Sequence, residues 1–572
     1  MRQAYDVVVL GSGAAGLTAA LAAATQGAER VAVFEKARLL GGTTALSGGT
    51  IWIPANQPAR EAGVEDSREQ GLEYLASLSN GMILPELAEA LVDGGPRFVD
   101  FLNANTEIRL RLVRGYPDYH PEHPGGLPGG GRSIEPALVS FTGLEEWTDR
   151  IAGDVRRSLI AETPLGGGTG VVPPDVLAER EEAKQEGLGR ALIGGLLRAC
   201  LKHGVHIATR SRGLRLLLDD HVVAGVELET PDGHQSIHAD AVILATGGFE
   251  YDPDLVRDFL RGPLTKPVGA PTDTGDGLRM AMRIGAQLGN MREAWWSPII
   301  SYPGVRRDGG GNALLSARER ALPGSIMVNR YGRRFCNEAA NYNALGGAFH
   351  RLDESRLDFV NVPAYMIFDQ SMVDRFGAFG VGPGGELPDW VTRADTLEEL
   401  AGIFNLPAAE LRDTVDRFNA NARQGTDPDF ARGESAYDRW PGISQGGQGG
   451  RSVQGGQGVQ AKDPDSPDSD SPDLDSPDSD SPQVALGPLE APPYYGAEVA
   501  ISALGTKGGP RTDREGRVLD VDGDVIRGLY AAGNVMASPA GMVYGGAGAT
   551  LAVAGVWGLY AGRAAVDDQS RG

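Results

Sequence analysis

The residues of this chain best suited to chemistry stand at its two ends. Residues 6–16 read Asp-Val-Val-Val-Leu-Gly-Ser-Gly-Ala-Ala-Gly, an apolar run that breaks into Gly11, Gly13 and Gly16. In a strand–turn–helix context these glycines provide the tight turn, the close backbone approach to a pyrophosphate and the helix–strand packing. The helix that starts there turns its unpaired N–H groups and positive dipole end toward the phosphates. A second apolar run, Arg30–Phe34, ends at Glu35, about 20 residues past the glycines, where a carboxylate accepts both ribose hydroxyls and disfavours a 2′-phosphate. A further glycine-marked segment, Gly528-Leu-Tyr-Ala-Ala-Gly-Asn534, follows more than 500 residues later. One ligand long enough to need both ends is flavin adenine dinucleotide. The chain then reads as an FAD enzyme with a catalytic unit inserted between the halves of its nucleotide-binding domain.

The elements that must position these residues are legible in part. A helix is expected over Gly189–His203, a strand over Val205–Ala208, an antiparallel pair over Gly213–Leu218 and Val222–Leu228, and a strand over Ala241–Ala245. That last strand exits into Thr246-Gly-Gly-Phe249, a glycine exit that lets backbone approach a cofactor. After Thr274-Gly-Asp-Gly277 and a helix over Leu278–Ile284, residues 288–445 change character, with longer loops, Trp295-Trp296 and amphipathic helices at Leu397–Phe404 and Ala408–Arg423. Strand signals return from Pro492 and close at Leu529–Ala532, and Ala549–Ala565 reads as a helix of small and apolar residues. The expected architecture is α/β: a Rossmann-like FAD-binding domain, a parallel sheet with helices and a small antiparallel sheet, carrying an inserted α+β catalytic domain. Its bounds are 1–287 and 487–572 for the FAD-binding domain and 288–445 for the insertion.

Composition narrows the function classes. A chain of 572 residues exceeds one core, and a hydrophobic share of 41% with 23% charged residues is ordinary for a globular protein. A net charge of −23 argues against nucleic acid as a partner. Much of that charge is local: residues 463–481 carry eight aspartates in Asp/Ser/Pro repeats, preceded by the Gly/Gln-rich stretch 445–460. The low-complexity, acidic segment 446–486 cannot bury enough apolar surface to offset its ordering entropy and is expected to be disordered. The chain shows no uninterrupted apolar run of about 18 residues, so no integral membrane segment is expected. It enters its first strand too early for a signal peptide, and Cys200 and Cys336 form no metal spacing, which together give a cytoplasmic expectation. His120 and His123 read as loop residues, and no metal is expected.

Asp6–Gly16, Glu35, Gly41–Gly49, Ala245–Gly248 and Gly528–Asn534 together resemble the fumarate reductase/succinate dehydrogenase flavoprotein superfamily over nearly the whole chain apart from 445–486. Within it, Tyr116-Pro-Asp-Tyr119, Arg333–Glu338 leading to Tyr342, Gly505-Thr-Lys-Gly-Gly509 and Tyr544-Gly-Gly-Ala-Gly548 resemble the 3-ketosteroid Δ1-dehydrogenases. The resemblance implies a cofactor site of Gly11, Ser12, Gly13, Ala14, Ala15, Gly16, Glu35, Lys36, Gly42, Thr43, Thr44, Ser47, Gly48 and Gly49 at the start of the chain. Ala245, Thr246, Gly247, Asp276, Gly533, Asn534, Ala549 and Leu551 complete it. No histidine occurs in Gly41–Gly49, so the FAD is expected to be non-covalent.

Desaturation beside a ketone removes a hydride from one carbon and a proton from its neighbour, so the site needs donors at the carbonyl oxygen and a base at the α carbon. By the resemblance, the Tyr544 hydroxyl and the Gly548 N–H are those donors, Tyr342 is the base, and Tyr119 orients it and relays its proton. Tyr116 reads as a packing residue, Lys507 has no assigned role, and the two tryptophans read as pocket wall or interface. The steroid enzymes usually carry Tyr-Pro-Gly-Pro-Gly where this chain has Tyr544-Gly-Gly-Ala-Gly548, and losing two prolines removes rigidity from the donor segment.

The resemblance leaves other readings open. A 3-ketosteroid Δ4-dehydrogenase shares the same hydride and ketone logic. A fumarate-reductase-type ene-reductase needs arginine and histidine clamps for two carboxylates, and no histidine follows His350. A flavin-containing binding or sensor module would keep the nucleotide motifs and lose the acid–base set. Only one dinucleotide fingerprint occurs, so no nicotinamide site is expected, and reoxidation falls to a quinone, another carrier or oxygen.

Overall fold

A computed structural model describes residues 4–301, 313–315, 318–440 and 481–569. Strand β1 (Ala4–Leu10) carries Val7, Val8 and Val9 fully buried, as a strand covered on both faces requires. It turns at Gly11 into helix α1 (Ala14–Gln26), and β2 (Val31–Phe34) returns parallel to it, with Val7 opposite Val31 and Leu10 opposite Phe34. Helix α2 (Leu188–Lys202) leads to β3 (His206–Ala208), which pairs parallel with β2. The antiparallel pair β4 (Arg212–Asp219) and β5 (Val222–Thr230) follows, then β6 (Gly233–Leu244).

β6 is more than twice the length that the expected Ala241–Ala245 strand implied. It serves two ladders in succession: residues 233–238 pair antiparallel with β5, and residues from His238 to Leu244 pair parallel with β1. Residues 236–240 alternate exposed and buried in the one-sided pattern of an antiparallel sheet, while Ala241–Leu244 are all buried. Only that second half carries the apolar run a sequence reader detects.

A second, largely antiparallel sheet contains β7 (Ala294–Ser301), β8 (Ser325–Asn329), β9 (Ala364–Asp369) and β10 (Tyr494–Thr506), with β10 between β7 and β9. The chain segments before and after residues 441–480 thus share one ladder, Val499 pairing with both Ile300 and Ala364. Most of the stretch expected to be disordered lies outside the described residues. Of its end, Pro482–Ala485 form a 3-10 turn, and Leu486 is buried against the helix Ala408–Arg423 and its neighbours.

The chain then returns to the first sheet through β11 (Arg517–Leu519) and β12 (Val525–Ala531), and β12 pairs parallel with β6 at Val242–Leu244. Six strands run in the order β11-β12-β6-β1-β2-β3, with β5 and β4 branching from β6. The last helix, α3 (Ala549–Asp567), packs on α1 through small residues: a Cβ at Gly558 would lie 2.6 Å from the Ala15 carbonyl oxygen, and one at Gly562 would strike that of Ala19. Close approach of the two backbones is what brings the two ends of the sequence to one place. Among the described residues α3 is the one helix long and apolar enough to cross a membrane, and 78% of its apolar window is buried inside the fold, as befits a core helix.

Candidate active site

The expected cofactor residues line a single cavity, with two exceptions: Gly16 and Ala549 stand behind its wall. Gly16 is needed for packing, since a Cβ there would strike the Gly11 carbonyl oxygen, and Ala549 is the first residue of α3. Gly11 lies at φ +106° with no room for a side chain against the Ala245 carbonyl, so the turn demands glycine twice over. Neither α1 nor α3 has a side-chain cap or an acid in its first turn, and both helix starts border this cavity. Two positive helix ends bordering one cavity are the arrangement that holds anionic groups.

Glu35 closes the nucleotide end. Its carboxylate accepts from the Ser12 N–H (3.0 Å), the Ser12 hydroxyl (2.7 Å) and the Ala37 N–H (2.8 Å). This holds the acid in place at the cavity rim with acceptor capacity left for a ribose. Lys36 donates to Asp276 at 2.9 Å and to Thr274 at 2.7 Å, and Arg212 grips the same Asp276 carboxylate with two bonds. Thr43 and Thr44 anchor the glycine segment: Thr44 accepts from the Ala14 N–H at 3.1 Å and Thr43 donates to Asp273 at 2.9 Å. The donor set, the two helix ends and the glycine cradle fit a bound FAD.

At the other end of the cavity three tyrosines meet. Tyr119 donates to the Tyr342 hydroxyl at 2.7 Å, across 223 residues of sequence. The Tyr544 ring lies 5.1 Å from Tyr119 and 5.5 Å from Tyr342, centre to centre. Thr550, in the first turn of α3, donates to the Tyr544 hydroxyl at 3.1 Å, and the N–H groups of Gly548 and Thr550 both favour its charged form. Gly548 sits at φ +100°, its α carbon pressed against Thr50 and Ile51, where any side chain would collide. The Gly548 N–H thus stands beside the Tyr544 hydroxyl at the start of α3.

Burial sets the protonation of this cluster. Part of the Tyr342 ring faces the cavity, yet the protein around it still desolvates a phenolate, and Tyr544 and Tyr116 add repulsion, so its pKa is pushed well above 10. The Tyr119 hydrogen bond works the other way. Tyr119 and Tyr544 are raised as well, again mainly by burial. Burial also raises Tyr116 and Tyr437, which extend the cluster, and the fully buried guanidinium of Arg320 offsets part of that rise.

Tyr544–Gly548 contains no proline, and tertiary contacts clamp it. The Gly545 carbonyl accepts from the Tyr74 hydroxyl (2.7 Å) and the Tyr119 N–H (3.0 Å), and the Ala547 carbonyl accepts from Ser133 (3.1 Å). Trp52 lies flat against the glycines, its indole N–H bonded to Asp118 at 2.7 Å. Arg132, buried, joins Asp118 to Asp66 and so locks the loop that bears Tyr119. A Cβ at Gly546 would be driven into the Trp52 ring. Gly546→Ala is therefore expected to cost about 1–3 kcal/mol of stability by overpacking. It should also lower turnover more than flavin content, which thermal melting and the flavin absorbance of the purified variant would check.

Sequence reasoning missed Trp52, Tyr74, Arg132 and Thr550, whose partners lie far along the chain or depend on the turn of a helix. Trp295 does not line the cavity but is buried behind it, its ring edge-on to Tyr544 at 4.7 Å and its N–H bonded to Asn534 at 3.1 Å. The histidines read as simple loop residues stand together with Glu122, one ligating atom of each within 4.8 Å of the others. Asn341 meets the His120 ring at 3.1 Å and donates to the Tyr119 carbonyl at 3.1 Å, tying the Tyr119 loop to the one that bears Tyr342.

Comparison with known proteins identifies the family. The family model described as an FAD binding domain matches residues 6–551. A 4-oxocyclohexanecarboxylate 2-dehydrogenase of Sinomonas cyclohexanicum is 42% identical over 98% of this chain and 93% of its own. A 3-oxosteroid 1-dehydrogenase of Mycobacterium tuberculosis is 38% identical over 98% of each. The crystal structure of a 3-ketosteroid Δ1-dehydrogenase from Sterolibacterium denitrificans, in complex with 1,4-androstadiene-3,17-dione, superposes with a TM-score of 0.83 at 30% identity, covering 99% of this chain and 100% of that one. With a nucleotide cradle built from both chain ends and a phenol cluster at its far side, this chain belongs to the FAD binding domain family and is a flavin-dependent oxidoreductase.

Proposed function

We propose that the protein desaturates a cyclic ketone next to its carbonyl, introducing the C1–C2 double bond of a 3-ketosteroid or the equivalent bond of a smaller cyclohexanone. The observation that carries this reading is the meeting of Tyr119, Tyr342, Tyr544 and Gly548 in the cavity that holds the nucleotide motifs. The ketone oxygen sits between the Tyr544 hydroxyl and the Gly548 N–H, which draw off charge as the enolate develops. Tyr342 takes the α proton, and Tyr119, donating to the Tyr342 oxygen, stabilises the phenolate that accepts it. Bound FAD, held non-covalently, supplies the acceptor for the hydride that leaves the β carbon. The ketone thus loses one proton to Tyr342 and one hydride, and becomes an enone.

A smaller ketone is the second reading. The relative at 42% identity is named for a cyclohexanone that bears a carboxylate, and Arg156 lines the same cavity. Both substrates use the same chemistry at the carbonyl, so the site roles do not depend on the choice. The FAD-binding unit is assigned to 1–287 and 487–572 and the catalytic unit to 288–445, with β10 lent to the sheet of the latter. Electrons leave through a quinone or another acceptor, and the working compartment is the cytoplasm.

An anaerobic titration tests the reading. Androstenedione-like and 5α-saturated 3-ketosteroids, 4-oxocyclohexanecarboxylate and fumarate are added separately while the flavin colour is followed. Bleaching by a ketone, with the matching enone as product, is the expected result, and its regiochemistry separates Δ1 from Δ4. Lack of bleaching by every ketone would sink the proposal and favour a binding module.

The base makes a pH prediction. Tyr342 acts as phenolate, and its pKa lies well above 10, so at lower pH the active form is a small fraction that grows tenfold per pH unit. Log kcat is expected to rise with a slope near one from about pH 7 to 9.5, measured as the rate of flavin reduction. The same raised pKa values mean that the folded state holds its tyrosine protons more tightly than the unfolded chain does. Stability is then full below about pH 10 and is lost as pH climbs past it, which sets the upper end of the usable range. A flat profile from neutral to alkaline pH would remove Tyr342 from the role of base.

A further inference from the structure

Lys507 follows β10 and is fully buried. Among the described residues no carboxylate lies within ion-pairing distance of it. The acid whose charge it feels, Glu293, is occupied by Arg261 at 3.0 Å and by the Trp296 indole at 3.2 Å. Burying an ammonium without a paired carboxylate costs several kcal/mol, and burial lowers its pKa to about 7. A fold keeps such a group where it is used.

What Lys507 touches is the catalytic segment. Its amine donates to the Val543 carbonyl at 2.7 Å, one residue before Tyr544. It also sits 4.1 Å from the centre of the Trp295 ring, which in turn abuts Tyr544 and bonds Asn534 in the cofactor cavity. Its own backbone is pinned on both sides, the N–H to the Glu293 carbonyl and the carbonyl by the Ser538 N–H, each at 2.9 Å. The peptide on the far side of Tyr544 is held through the Gly545 carbonyl by Tyr74 and Tyr119. Lys507 is the matching clamp on the near side. Charged or neutral, an amine can donate this bond, so the role does not need a particular protonation state.

We infer that Lys507 is a positioning residue for the ketone-polarising phenol: by gripping the Val543 carbonyl and covering the Trp295 face, it holds the Tyr544 hydroxyl beside the Gly548 N–H. The inference rests on Tyr544 being a ketone donor, as proposed above. It explains how Tyr544-Gly-Gly-Ala-Gly548 keeps its shape without prolines.

The test uses the FAD-loaded enzyme and a double-mutant cycle with Lys507→Met, Lys507→Gln and Tyr544→Phe, read as kcat and KM for the ketone that bleaches the flavin. Lys507→Met is expected to lower kcat about 30-fold with KM changed less than about threefold, since the contact acts on the transition state. Lys507→Gln, which keeps a donor for the carbonyl, should recover most of that loss. In the Tyr544→Phe background Lys507→Met should add less than about a threefold further loss, because both changes remove one function. Additive losses, a Met variant within about threefold of wild type, or a Gln variant as slow as Met would each overturn the inference. If the Met variant fails to retain flavin, Lys507→Ala carries the same cycle: slowing that vanishes in the Tyr544→Phe background supports the role, while slowing that persists there, or none at all, refutes it. Should Tyr544→Phe itself turn over like wild type, the failure belongs to the reading of Tyr544 and not to Lys507.

Discussion

Tyr342→Phe is expected to slow flavin reduction by the ketone about 10³-fold while leaving flavin content unchanged, the middle of the range for loss of a positioned acid–base group. The ring is kept, so the packing against Tyr119 and Tyr544 at 5.3 and 5.5 Å survives, and only the proton acceptor is lost. The Tyr119 hydroxyl loses its acceptor, at a stability cost of about 1–3 kcal/mol for a buried polar group left unpaired. Two further signatures should accompany the rate. Washout of deuterium from the α carbon of the ketone should fall with it, and the unit slope of log kcat against pH should disappear, since no phenolate remains to be titrated at that position. A variant within about tenfold of wild type would show that the proton goes elsewhere.

Tyr544→Phe should cost about 10²- to 10³-fold in kcat, the effect of removing one oxyanion donor from a preorganised pair. The Gly548 N–H remains, which is why a residual rate is expected. The Thr550 hydroxyl, now without the phenol that accepts its bond, loses its partner at 3.1 Å. The two substitutions differ in their pH behaviour. The Tyr544 variant keeps its base and therefore its alkaline rise, displaced to lower rates, whereas the Tyr342 variant loses the rise altogether. A stopped-flow series across pH 7 to 9.5 on both proteins separates donor from base, and a Tyr544 variant with wild-type kcat would remove the phenol from the carbonyl site.

The cofactor half of the site was legible because its chemistry is written over short stretches. The glycines at 11, 13 and 16 are forced by a turn that admits no Cβ at Gly11 and by a helix that presses Gly16 onto that turn. Glu35 follows at the end of the next strand, and strand, turn, helix, strand and acid sit within some 30 consecutive residues. The helix Ala408–Arg423 was found to the residue because Leu411, Val415, Phe418 and Ala422 mark a buried face at helical spacing. β6 was cut short because half of it has one wet face, and β10 was assigned to the returning nucleotide-binding unit although it completes the other sheet. Strand partners are chosen by packing, which the local pattern does not name.

Trp52, Tyr74 and Arg132 escaped notice for a related reason. The Tyr74 hydroxyl bonds a carbonyl 471 residues away, and Trp52 matters because two glycines near the other end of the chain lie against its ring. Neither residue sits in a pattern that announces such a partner. Lys507 stood in a recognisable motif, yet its role became readable only once its amine was seen on the carbonyl next to Tyr544.

By itself, then, the sequence determined the class of cofactor and the parallel nucleotide-binding sheet. Backbone stereochemistry and periodicity are properties of a few neighbouring residues and survive translation into a string of letters. The tertiary structure alone decided that Tyr119 and Tyr342 share a hydrogen bond, that the Gly548 N–H stands beside the Tyr544 hydroxyl, and that burial lifts the pKa of each phenol. Those facts are set by distance and desolvation, which arise only when segments hundreds of residues apart exclude water from one another.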